Sequence, residues 1–405
     1  MIENETNSDS GPLADLVVIE AGNMISAGST GRLLADFGAT VIKIEHPEMG
    51  DPLRELQPRK GEHGLWWKYL SRNKKTITLD MSDERGQTVL KDLVSEADAV
   101  IENFRPGTFE RWNIGFEELQ SVNQDIVMVR ISGFGQTGPY AERPGFGTLA
   151  EAMSGYASLS GFTDSAPLLP KTGFADNIAA LYSAFSLLYA LYHRDVSGGS
   201  GQCIDVSLIE PLLNIMGPEP LQYDQLEEVP ERNGNQSSIS APRNVYQTSD
   251  GEWLALSASS QRVALRACDA IERPDLKHDP RFETNDKRVD NADALDEVIQ
   301  SWIGDHEREE VLARFDEYDV PSAPIYDIAD IMADEHYRSR EAIISIDDDD
   351  LGDVRIQGIF PKFSDTRGDV HFLGAEKGEH NDLVFRDWLN YDQELLNELE
   401  SDNII

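Results

Sequence analysis

Leu16–Glu45, LVVIEAGNMISAGSTGRLLADFGATVIKIE, decides the fold class. Leu16–Glu20 is an apolar run closed by an acid, the pattern of a strand buried on both faces. AGNMISAGSTGRLLADFG reads as a loop and then a helix, and Thr40–Glu45 (TVIKIE) as a second strand. Strand, helix and strand in that order imply parallel pairing, and so an α/β protein with a Rossmann-like sheet. Gly22, Gly28 and Gly31 miss the G-x-G-x-x-G spacing of dinucleotide binders. Without that turn Glu45 is a weak candidate for a nicotinamide ribose contact, whereas a helix start near Ser26–Thr30 can still receive a phosphate.

The alternation continues outward. Lys74–Asp80 (KKTITLD), Ala99–Glu102 (AVIE), Ile126–Ser132 (IVMVRIS) and Gln202–Ser207 (QCIDVS) read as strands. Ser82–Glu96 has helical spacing, with Val89, Leu90 and Leu93 as its apolar face. Ligands bind at the carboxyl ends of strands in such sheets. AVIE runs straight into Asn103-Phe104-Arg105-Pro106-Gly107. These residues either offer an amide, an aromatic face and a cation to a nucleotide, or form a helix entry with Pro106 in the first turn. IVMVRIS runs into GFGQTGPYAERPGFG, a glycine-rich loop long enough to be functional.

The second decisive stretch is Lys171–Arg194, KTGFADNIAALYSAFSLLYALYHR. Asp176 and Asn177 open a helix whose apolar run, Ile178–Tyr192, stops at Asp195–Gly201. A run of about 15 residues falls short of the roughly 20 that span a bilayer, so it reads as a core helix. Unpaired amides and the helix dipole favour an ionised carboxylate at Asp176. Two roles fit it: a helix cap, or a nucleophile held at the end of a rigid element.

Composition limits the partners. Asp and Glu number 74 against 35 Lys and Arg, a formal net charge of -39. That argues against nucleic acid and against anionic membrane surfaces. The acids are spread along the chain, as expected of a halophilic cytoplasm, where a Debye length of about 3 Å at molar salt screens self-repulsion. Cys203 and Cys268 form no disulfide or metal pattern, and the eight histidines show no metal-ligand spacing. The polar lead-in 1–11 lacks the apolar segment of a signal peptide, so a cytoplasmic location is expected.

The domain plan places residues 12–215 in a large domain, 216–240 in a polar linker and 241–326 in a small domain. In the small domain, 244–257 reads as a hairpin turning at Ser249-Asp250-Gly251, and Val263–Ile271 and Ala292–Phe315 as helices. Residues 327–352 form a second, acidic linker. Residues 353–405 return to α/β character, with a strand at Arg355–Phe360 and a helix at Asp382–Leu399.

GATVIKIEHPEMGDPLR, RNKKTITLDM, ADAVIENFRPGTFERWNIGFEEL, ISGFGQTGPYAERPGFG, the Asp176 helix, GSGQCIDVSLIEPLL and GEHND occur in order along nearly the whole chain. Together they resemble the class III CoA-transferases. The resemblance implies an interlocked ring homodimer, with a large Rossmann-like domain built from both chain ends and a small α/β domain between two linkers. It places the nucleophile on Asp176, which would pass through an aspartyl-CoA thioester. CoA contacts would fall on Ile25, Ser26, His46, Leu79, Asp80, Met81, Ser82, Asn103, Phe104, Arg105, Arg111, Pro144, Gly145, Phe146 and Gly147. No metal or prosthetic group is implied, with the CoA thioester as substrate.

Within that family a salt-adapted member suggests succinyl-CoA as donor and a small dicarboxylic acid such as mesaconate as acceptor. Ser238, Ser240 and Arg243 are candidate acceptor determinants from the small domain. The stretch Asn235–Pro242 is not glycine-rich and Phe146 stands where formyl-CoA:oxalate transferases carry tyrosine, which argues against oxalate. A 2-methylacyl-CoA racemase-like isomerase is an alternative, although Pro144-Gly145-Phe146-Gly147 lacks that branch's histidine. A non-catalytic CoA-binding protein is another.

Overall fold

The computed structural model describes residues 11–405, and the chain divides into two compact units. The first runs to Tyr156 and includes Leu169–Pro218 and Glu335–Ile405. The second comprises Ala157–Leu168 and Glu219–Asp334. The polar lead-in before residue 11 lies outside the described residues.

The larger unit is built on β1 (Val17–Glu20), α1 (Met24–Ala35), β2 (Thr40–Glu45), β3 (Lys75–Thr78), α2 (Glu84–Ser95), β4 (Ala99–Glu102), β5 (Val127–Ser132), α3 (Gly147–Met153), α4 (Phe174–Ser197) and β6 (Cys203–Ser207). All six strands are parallel, in the order β3-β2-β1-β4-β5-β6, which is the Rossmann order. Because strand side chains alternate, Ile19, Ile42 and Val100 face one apolar cluster, and Val18, Val41 and Ile101 face the other. The first cluster also takes Leu90 and Leu93 of α2 and, from the chain end, Leu396, Leu399 and Ile404. The second takes Leu34 of α1 and Ala179 and Leu187 of α4. The sheet is therefore covered on both faces, and both ends of the chain contribute to it.

Helix α4 differs from its sequence expectation. It starts at Phe174, so Asp176 is its third residue rather than its opener, and it continues through Asp195 to Ser197. Its 24 residues make it long and apolar enough, by length and composition alone, to cross a membrane. Its inward face, from Ala175 to Leu191, is buried against the sheet.

The smaller unit holds β7 (Arg243–Gln247), β8 (Trp253–Ser257), α5 (Gln261–Ala270), α6 (Ala292–Gly304), α7 (Arg308–Glu317) and β9 (Ser322–Pro324). Its antiparallel sheet has the order β9-β8-β7 and packs on Tyr246, Leu254, Ile299 and Phe315. The single helix expected over Ala292–Phe315 breaks after Gly304, and a capping box between Glu307 and Glu310 restarts it.

Both expected linkers carry structure. The first contains a helix at Glu219–Leu226. The second contains Ile328–Ala333, capped by Asp327, and then β10 (Ile343–Asp348), which pairs antiparallel with β11 (Gly352–Gln357). The strand expected at Arg355–Phe360 thus ends at Gln357 and belongs to this ribbon rather than to the main sheet. The helix expected over Asp382–Leu399 is a π-helical turn, Asp382–Trp388, followed by α8 (Gln393–Ser401). Residues 157–168, expected in the large domain, cluster with the smaller unit because Arg232 donates to the carbonyls of Ser158 and Ser165, each at 3.2 Å.

Candidate active site

The strand order reverses between β1 and β4, and a cavity of about 420 Å³ opens at the carboxyl ends of β1, β4 and β5. Open α/β sheets bind ligands there because the loops leaving the two strands diverge to opposite faces. The wall takes Asn23–Ser26 after β1, Asn103 and Phe104 after β4, and Ser132 and Gly133 at the end of β5. Gly145–Thr148 and Glu151 come from the start of α3, and Lys171–Gly173 with Asp176 from the start of α4. A larger recess of about 610 Å³ lies beside Glu341 and Lys362, which pair with each other at 3.0 Å.

Half-buried and buried polar groups hold the first loop. Asn103 accepts the Asn23 amide at 2.8 Å and donates to the Asn23 carbonyl at 2.6 Å and to Ser26 Oγ at 2.9 Å. Only glycine fits at position 22, where a Cβ would lie 2.6 Å from Asn103 Oδ1. Met24 adopts φ +62°, a costly conformation for a side chain of its kind. Asp51 accepts its amide at 3.3 Å, and Lys43 pairs with Asp51 at 2.7 Å. Lys74 in turn pairs with Glu20 at 2.6 Å, and burial pulls its ammonium down to about 8 against the opposing pull of Glu20. Buried pairs of this kind fix geometry more than they add net stability.

Asp176 stands at the far side of that wall. Gly173 is the N-cap of α4 and has no side chain to offer its amides. Glu151 supplies the acceptor instead, with Oε1 3.3 Å from the Ala175 amide. Among the described residues the Asp176 carboxylate makes no side-chain hydrogen bond to another residue, its backbone bond being to its own amide. The capping role is therefore taken by Glu151, and the Asp176 carboxylate is left facing the cavity. Its Oδ2 lies against Gly147, where a Cβ would overlap it, and 3.4 Å from the position of a Cβ on Gly173. Burial first, and then the charge of Glu151, push Asp176 up to about 6. The helix dipole favours the anion, but desolvation and the like charge outweigh it.

Of the residues expected to form the site, Ile25, Ser26, Asn103, Phe104, Gly145, Phe146 and Gly147 join Asp176 in the cavity wall. The Asn103 amide is fully used in holding Asn23, so it shapes the wall rather than offering a free donor. Phe104 packs edge-on against Trp112 at 5.3 Å.

The remaining candidates lie elsewhere. Leu79 and Met81 are buried in the main apolar cluster, where their side chains cannot meet a ligand. Asp80 accepts the amide and hydroxyl of Ser82 at 2.9 and 2.6 Å. His46 Nδ1 closes a turn by accepting the amides of Glu48 and Met49. Pro144, Arg105 and Arg111 are outside the wall. The two arginines are exposed and, among the described residues, have no carboxylate partner, so they are free to meet phosphate. Arg243 is exposed and donates from Nη1 to the carbonyls of Asn235 and Gln236, at 3.0 and 3.3 Å.

Glu151, Lys171 and Gly173 were not singled out from sequence. Glu151 follows Gly147 by one helical turn, which places both on one face of α3, and that spacing was the available signal. His63, Asp350 and Glu376 bring ligand atoms within 4.8 Å of one another, a grouping invisible in sequence spacing. Asp350 there already pairs with Lys68 at 2.6 Å.

Comparison with known proteins agrees with this geometry. The model of CoA-transferase family III matches residues 13–381. The chain is 39% identical to the succinyl-CoA–D-citramalate CoA-transferase of Chloroflexus aurantiacus, over 97% of this chain and 98% of that protein. It is 30% identical to the succinyl-CoA:mesaconate CoA-transferase of Haloarcula hispanica, over 83% of this chain and 86% of that one. The crystal structure of a CaiB/BaiF family protein from Brucella suis superposes with a TM-score of 0.82 at 31% identity, covering 93% of this chain and 99% of that one. The chain belongs to the family III CoA-transferases and transfers CoA between acids.

Proposed function

We propose that this enzyme moves CoA from succinyl-CoA to a small dicarboxylate of the mesaconate or citramalate class, through an aspartyl-CoA thioester on Asp176. One observation carries the reading: a carboxylate at the start of a core helix, relieved of capping, lines the cavity at the sheet's switch point. The names of the relatives support the donor and the acceptor class.

The chemistry is that of a carboxylate nucleophile. Asp176 attacks the thioester carbonyl, the C–S bond breaks, and CoA thiolate leaves a mixed anhydride. The thiolate attacks the aspartyl carbonyl, releasing succinate and forming the aspartyl-CoA thioester. The acceptor carboxylate then attacks this thioester, and the returning thiolate takes the acceptor's acyl group, freeing Asp176. Lys171 is the one cationic side chain in the cavity wall among the described residues. Its ammonium is the group available to the second carboxylate of a dicarboxylic acid.

The working form is a homodimer in a salt-rich cytoplasm. In support, Leu181, Leu188, Tyr189, Tyr192 and Val196 form an exposed apolar stripe along α4, of the kind that marks association surfaces. Racemisation is the second reading, because Glu151 places a second acid–base group in the wall. Glu151 and Asp176 share one corner of it, whereas inverting a carbon centre needs groups on opposite faces.

The test is to incubate the enzyme with succinyl-CoA in molar KCl, add hydroxylamine and map the modified peptide by mass. A hydroxamate on Asp176 is expected. An unmodified Asp176 together with solvent deuterium at the substrate's α-carbon would replace transfer by racemisation.

A further inference from the structure

Glu151 has no part in the steps above, yet it is a 3%-exposed carboxylate in the same wall as the nucleophile. Setting a buried anion beside a half-buried one is costly unless each has a partner. Glu151 has one, the Ala175 amide at 3.3 Å. Asp176 has only its own backbone amide among the described residues, while Glu151 takes the neighbouring Ala175 amide. Gly147, one turn before Glu151 on α3, brings its Cα surface against Oδ2.

We propose that Glu151 is a positioning residue that takes the Ala175 amide, leaves the Asp176 carboxylate with its own amide alone and repels it as an anion, so that its acylation is driven by relief of that repulsion. The inference rests on the reading of Asp176 as nucleophile. Attack on the thioester turns a charged carboxylate into a neutral anhydride and then a neutral thioester. Each neutral form removes the like-charge contact with Glu151. The same contact makes Asp176 more basic, in keeping with its elevation to about 6, and a more basic carboxylate is the better nucleophile.

The charged groups facing Asp176 are few. Glu151 comes from α3 and Lys171 from the entry to α4. Arg130 of β5 is engaged by Glu102 at 2.7 Å and Glu110 at 2.6 Å, and Arg32 of α1 by Asp36 at 2.9 Å. Among the described residues Lys171 is the one cation in the cavity wall to offset Glu151.

The test compares wild type with Glu151→Gln and Glu151→Asp. The Gln amide oxygen can still accept the Ala175 amide, so the cap survives while the charge is lost. The readouts are isotope exchange between succinyl-CoA and labelled succinate, which needs no knowledge of the acceptor, and the hydroxamate yield on Asp176. For Glu151→Gln the acid limb of kcat/KM should move down by about one pH unit, and exchange at pH 8 should slow about tenfold. The hydroxamate yield should fall, and Glu151→Asp should restore the acid limb towards wild type. A purely structural cap predicts Gln equal to wild type in all three. An unmoved acid limb in a variant of unchanged Tm overturns the inference. If wild type itself gives no hydroxamate, the nucleophile reading fails first, and the two failures are told apart.

Discussion

Gly147 leaves no room for a side chain beside Asp176: a Cβ on it would overlap Oδ2 of the carboxylate. The reason for glycine here is contact rather than backbone conformation, since Gly147 is not among the left-handed glycines. Gly147→Ala should therefore fold with a Tm close to wild type, alanine being the better helix former. The methyl group must displace the nucleophile, and a shift of about 1 Å is enough to cost on the order of 100-fold in kcat. Steady-state exchange kinetics with circular dichroism melts would decide it; full activity would mean that the carboxylate is placed differently during catalysis.

The pH profile should report Asp176. Its pKa is raised to about 6, first by burial and then by Glu151, so the nucleophilic anion is lost as pH falls through 6. Below that point kcat/KM should drop about tenfold per unit. The stability sign is opposite. The native state holds this proton more tightly than the unfolded chain, so at neutral pH the ionised carboxylate is a burden on the fold. Asp176→Asn should abolish transfer and stabilise the protein at pH 8 by about 1–2 kcal/mol, with the gain vanishing below pH 4. A lower Tm at pH 8 would refute the sign.

Lys171 should separate acceptors. It is exposed at the entry to α4 and is the one cation in the wall among the described residues. Lys171→Met should raise KM for dicarboxylates about tenfold while leaving acetate and propanoate nearly unchanged. Equal losses for both classes would assign Lys171 to CoA or to folding instead.

Asn103 should matter through Asn23 rather than through ligand contact. Asn103→Ala removes three hydrogen bonds from the loop that begins α1. A destabilisation of about 1–3 kcal/mol is expected, together with a raised KM for the CoA ester and little change in the acid limb. Urea unfolding and the KM measurement check the two parts separately.

The acidic surface should make the fold salt-dependent. With a net charge of -39, self-repulsion is felt at low ionic strength and screened at molar KCl. Tm should rise steadily from 0.1 to about 2 M KCl. A flat or falling curve would falsify the halophilic reading.

Local pattern alone determined the α/β class, the six parallel strands and the position of Asp176 at the entry to a core helix. Those features repeat every two or three to four residues, and burial on both faces of a sheet enforces that repeat along the chain. Pattern placed the loops that hold Ile25, Ser26, Asn103, Phe104 and Gly145–Gly147 after strands, where loops must converge, and the family resemblance made those residues site candidates. It could not separate residues at a strand end that face the cavity from those that face the core, and the side chains of Leu79 and Met81, CoA contacts by resemblance, pack in the main apolar cluster. Nor could it show that Glu151 caps α4, because that bond joins two helices 24 residues apart. The raised pKa of Asp176 has the same origin. A helix start favours the anion locally, but burial and a second carboxylate brought in by α3 push its pKa upward, and both exist only once the chain is folded.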